Sequence, residues 1–70
     1  MNKQRAETAR QALYQHCQSK GEPLDTLETG IIDLMTDLMH LARQEGLPSP
    51  MLREIAWHHF LEEVDEEIGA

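Results

Sequence analysis

Apolar residues fall into three unequal patterns along the chain, and two glycine–proline breaks separate them. Between Leu24 and Glu45, residues Leu27, Ile31, Leu34, Leu38, Leu41 and Ala42 share one side at about 100° per residue. That periodicity predicts an amphipathic helix. Ile32, Met35 and Met39 widen the band to about half the circumference, beyond the stripe of an ordinary surface helix. The narrow polar side carries Thr29, Asp33, Thr36, Asp37 and His40 in one line. Gly30 lies at the edge of the band. Its cost of roughly 1 kcal/mol relative to Ala is either tolerated or offset by a close helix crossing.

The flanking patterns are weaker. From about Lys3 to Ser19, Ala6, Ala9, Leu13, His16 and Cys17 share a thin, alanine-rich face that can pack closely but buries little. From about Pro50 to Glu67, Leu52, Ala56, Phe60, Val64 and Ile68 recur every four residues. A four-residue step drifts around a helix of about 3.6 residues per turn, so this stripe wraps the axis. Trp57 and Leu61 lie beside its later half, and Met51 and Ile55 lie on another side. In the breaks, Gly21 and Gly46 suit the left-handed residue that follows a helix end. Pro23 suits a helix start, Ser49 an N-cap and Pro50 a first helical residue. Alternation is absent and β-branched residues are few, so no strand is predicted.

These patterns predict an all-α fold in one domain over residues 1–70. It comprises a helical hairpin, with helices at about 24–45 and 50–67, plus an N-terminal helix at about 3–19. Two broad helices and one thin one do not close on themselves. A chain of 70 residues buries only about 60% of its unfolded surface and is marginal alone. Cys17 is the single cysteine, which excludes an internal disulfide and fits a reducing compartment. The expectation is therefore a helical-bundle homodimer, most simply two-fold symmetric. Ile32, Met35, Met39, Trp57, Phe60 and Leu61 are its interface candidates. An unidentified protein is the other candidate partner.

Charge narrows the classes. The net charge is −7, with a balance of +3 over residues 1–20 and −5 over each of 21–46 and 47–70. Nucleic-acid binding needs clustered Lys and Arg, and the third helix has Arg53 alone against six acids, so no nucleic-acid partner is expected. A basic first helix can lie against an acidic last one, in the same subunit or another. The segment Met1–Arg10 lacks an apolar core and no apolar run is long enough to span a bilayer. A cytoplasmic location and no membrane partner are expected.

Candidate chemistry is confined to the helical polar faces. Asp33, Asp37 and His40 stand at i, i+4 and i+7. His58 with Glu62 and His59 with Glu63 stand at i, i+4. Such spacings let one helix present two ligands to one ion, so Asp33, Asp37, His40, His58 and His59 are metal candidates, with Asp37, His40 and His59 as the alternative site. No ligand framework of known spacing accompanies them, and the ordinary reading is a helix showing its polar face to water. A magnesium site of the kind that helical nucleotide pyrophosphohydrolases use, built here from Asp33, Asp37, Glu62, Glu63 and Glu66, lacks nearby cations to hold phosphates. Ser19 and Ser49 read as helix-end residues, Cys17 as a small packed hydrophobe, and no phosphate loop exists. No cofactor and no catalytic activity are expected.

The run Ile32-Asp33-Leu34-Met35-Thr36-Asp37-Leu38-Met39-His40, then Gly46-Leu47, then Ala56-Trp57-His58-His59-Phe60-Leu61-Glu62-Glu63, resembles a set of short uncharacterised bacterial proteins carried on plasmids and integrated elements. Their shared pattern has the form D-L-x-T-D-L-M-H, a Gly-containing turn, and A-x-x-H-[FY]-x-x-E. The resemblance covers about residues 31–63. It departs at Pro48 and Pro50, where the turn is commonly acidic, and leaves the first helix outside. It implies interest in Asp33, Thr36, Asp37, His40 and His59 without implying a reaction. The expectation is a protein–protein interaction module with an accessory role in mobile-element biology.

Overall fold

The computed structural model describes residues 2–69, so Met1 and Ala70, at the ends of the predicted domain, lie outside it. The described residues form three helices and no strand. They are α1 (Asn2–Lys20), α2 (Leu27–Gln44) and α3 (Ser49–Gly69). The all-helical expectation holds, with shifts at the ends. Helix α2 starts at Leu27 rather than near Leu24, because Thr26 supplies the cap. Its backbone is extended, at φ −128° and ψ 156°, and its Oγ1 accepts from Thr29 N–H at 3.1 Å. Pro23, expected at a helix start, stays in the loop. Ser49 is the first residue of α3 rather than its cap, since the Pro48 carbonyl already accepts from Leu52 N–H at 3.0 Å.

Both predicted glycine terminators behave alike. Gly21 and Gly46 sit at φ 69° and 72°, where a side chain would be strained. After α1, Glu22 N–H reaches Cys17 O and Gly21 N–H reaches Gln18 O, each at 3.1 Å. After α2, Leu47 N–H reaches Ala42 O at 2.8 Å and Gly46 N–H reaches Arg43 O at 3.1 Å. This is the paired bonding of the Schellman motif, which satisfies the last carbonyls of each helix.

The core is very small. Leu13, at 2% exposure, is the one large buried side chain among the described residues, joined by Ala42 and Gly30. Gly30 marks the crossing of α1 and α2. A Cβ built there would stand 3.3 Å from Leu13 Cδ1 and would run into Leu24 Cδ1. The glycine is thus the seat of Leu13. The helices otherwise splay. The body measures 41 × 28 × 15 Å with a radius of gyration of 13.8 Å, against about 11 Å for a compact chain of this length. Its accessible surface is 6132 Å², against roughly 4,450 Å² for a folded monomer of this mass.

Candidate functional site

Helix α1 places its last two turns against the polar line of α2. His16 Nε2 lies 2.8 Å from Asp37 Oδ2, and Lys20 Nζ lies 3.0 Å from the same oxygen. Lys20 also approaches Glu22 at 3.6 Å and Asp33 at 3.8 Å. One ammonium therefore stands among three carboxylates, in the place a cation would take. The hydrogen bond from Lys20 holds the Asp37 carboxyl below its ordinary range, partial desolvation opposes this, and the bond from His16 adds to it. An ionised Asp37 only accepts, so His16 Nε2–H is the donor. Lys20 is raised in turn, first by its hydrogen bond to Asp37.

The remaining members of the polar line have local duties. Thr26 Oγ1–H donates to Thr29 Oγ1 at 2.8 Å, and Thr36 Oγ1–H donates back to Ile32 O at 2.8 Å. His40 is exposed in an open hollow at the α2–α3 turn, with Thr36, Met39, Arg43 and residues 46–50. His58 pairs backward with Glu54 at 3.4 Å, not forward with Glu62 as the spacing suggested. Glu63, the expected partner of His59, is taken by Arg5 at 3.1 Å. Both histidines are exposed. The structure thus brings Asp33 and Asp37 together around Lys20 but does not bring His40, His58 or His59 to them as ligands. Among the described residues, no three His, Cys, Asp or Glu side chains are placed to hold a metal ion.

Sequence reasoning missed the two α1 residues that complete this cluster. His16 belongs to the alanine-rich face of the predicted first helix, and Lys20 falls just past that helix's predicted end near Ser19. The signal was a histidine on an otherwise apolar face, one helical turn before a helix-ending lysine. Asn2 was missed as well. Its Nδ2–H donates to Glu63 O at 2.9 Å and Glu67 Oε2 at 2.7 Å, tying the start of α1 to the end of α3. The basic first helix does lie against the acidic third through Arg5 and Glu63, and against acidic α2 through Lys20.

The second feature is apolar. Ile32, Met35, Met39, Trp57, Phe60 and Leu61 are all 41–57% exposed. Trp57 and Phe60 stack one turn apart, with ring centroids 5.4 Å apart and planes at 28°. Around them, Ile31, Leu38, Ile55 and Ile68 are also open to water. Scattered apolar residues on a surface are ordinary, and large contiguous exposed patches are the unusual case. No described helix is long and apolar enough to cross a membrane. The chain matches no protein-family model, no curated protein and no solved structure.

Proposed function

We propose that this chain is a protein–protein interaction module that works as a homodimer through the apolar faces of α2 and α3. The observation that carries the reading is the exposure of large apolar side chains along both helices, from Ile31 on α2 to Ile68 on α3. Burying such surface is the main favourable term in association. The Trp57–Phe60 stack is an aromatic pair of the sort that anchors interfaces. The acidic residues of the polar line are engaged by His16 and Lys20 of α1, which supports a structural role for them over a chemical one. The resemblance of residues 31–63 to short proteins of plasmids and integrated elements supports an accessory role in the biology of such elements.

Native mass spectrometry of the untagged chain tests the reading. The expected result is a dimer for the wild type and a monomer for Met35→Glu, whose carboxylate would be buried at the contact. Equal masses for the two proteins would remove α2 from the interface. A stoichiometric ion in the wild-type spectrum would replace this reading with the metal site at Asp37, His40 and His59.

A further inference from the structure

We infer that α3 folds only against a second copy of this chain, so that self-association and the ordering of α3 are one event. The inference rests on the interaction reading above and names both its partner and its conformational consequence.

Helix α3 has almost nothing to hold it within one chain. Every residue from Pro50 to Glu62 is exposed, and Glu63 and Val64 are only half-buried. Its hydrogen bonds and ion pair to α1 run through Asn2, Arg5, Glu63 and Glu67 at the far end. Exposed ion pairs of that sort are worth about 0–1 kcal/mol. It joins α2 through the short turn at Gly46–Pro48.

The helix is also poorly equipped to stand alone. It has no acidic residue in its first turn and no basic residue in its last. Its C-terminal end instead gathers Glu62, Glu63, Asp65, Glu66 and Glu67. Negative charge at the negative end of a helix opposes its macrodipole, and like charges four apart repel. Most helical stability in proteins comes from packing an apolar face. Here that face, with Trp57, Phe60 and Leu61, is unpacked.

The uncovered area identifies the occupant. The chain exposes roughly 1,700 Å² more than a folded monomer of its mass, given 6132 Å² of surface. Two copies covering each other would hide about 3,400 Å², within the roughly 2,000–5,000 Å² of obligate homodimers. Such dimers often have no stable folded monomer. Helices α1 and α2 differ from α3, since Leu13 on Gly30 and Lys20 on Asp37 join them inside one chain.

Trp57 is the only tryptophan and lies on α3, so its fluorescence reports this helix alone. The test is a dilution series of the full chain, with molar mass by light scattering, helicity by circular dichroism and Trp57 emission taken together. The expected result is one shared midpoint. Mass halves, emission shifts to the red, and at least about a third of the helical signal is lost, since α3 has 21 residues against 19 and 18 for α1 and α2. Phe60→Glu should hold the chain in the low-concentration state throughout. Mass that halves with emission and helicity unchanged would overturn the coupling and leave the homodimer standing. A fully helical monomer at every concentration would overturn the second copy as partner. In that case dye binding to the open face would preserve the broader interaction reading, and its absence would end that reading too.

Discussion

The α1–α2 seam and helix α3 spend their side chains in opposite ways. At the seam, a thin alanine-rich helix reaches its neighbour with one leucine, one histidine and one lysine, and all three are engaged: Leu13 on Gly30, His16 and Lys20 on Asp37. Helix α3 carries the larger apolar residues, Trp57, Phe60 and Leu61 among them, and leaves them in water. Apolar content therefore does not say where the core of this chain lies. What made the seam was fit, a glycine that lets one leucine come close and a charge partner for the adjoining carboxylate. Helix α3 has exposed apolar area without an opposing surface in this chain, the observation on which the proposed pairing with a second copy rests.

Breaking the seam at its centre should have the largest effect. Leu13→Ala removes the only large side chain buried among the described residues, and such truncations cost about 2–5 kcal/mol. In a chain with so little other core, that is most of what joins α1 to α2. Urea unfolding followed by circular dichroism should show the midpoint collapse, whereas Leu61→Ala on exposed α3 should leave a dilute sample nearly unchanged. If the two truncations cost the same, the contrast between seam and open face is wrong.

The next effect sharpens the fit argument through its sign. Gly30→Ala gains about 1 kcal/mol of helix propensity. The new Cβ, 3.3 Å from Leu13 Cδ1 and in the way of Leu24 Cδ1, forces a shift of the kind that costs roughly 1–3 kcal/mol in a packed site. The single variant should be modestly less stable than wild type. In the Leu13→Ala background the space is free, Leu24 can swing aside, and the same substitution should become stabilising. Measured as a double-mutant cycle, the change of sign is the observation that matters. Equal effects in both backgrounds would mean that Leu13 does not sit on Gly30.

Much of this was legible in the sequence, and the limits have physical causes. The two breaks, their glycines and the three helices follow from local backbone rules that act within a few residues. Helix ends slipped where capping choices competed, with Thr26 winning over Pro23 and the Pro48 carbonyl over Ser49. The polar line of α2 was visible, but its partners were not, because Lys20 and Asp37 meet across 17 positions of chain and no periodicity links them. The pairing of His59 with Glu63 failed for the same reason: a local spacing lost to Arg5 on another helix. Long-range partners are set by how helices cross, which here turns on a single glycine.

The smallest effect concerns charge and separates the same two regions by pH. The Lys20 hydrogen bond keeps Asp37 ionised where the unfolded chain already takes up a proton, so its folded value lies below the ordinary 3.8. The stabilisation is complete above that ordinary value and is lost as pH falls through the lower folded one. Lys20 moves in the other direction. Its contribution is complete below the ordinary 10.5 and fades as pH rises through its raised folded value. Asp37→Asn should therefore lower the melting temperature slightly at neutral pH, and the difference from wild type should shrink as the pH falls through the folded-state value, below 3.8. Glu66→Gln, which relieves repulsion at the end of α3, should leave the neutral-pH melting temperature unchanged or raise it. Melting curves of both variants at neutral and acid pH decide the matter: an Asp37→Asn deficit that persists unchanged in acid would mean that Asp37 stabilises the seam by something other than its charge.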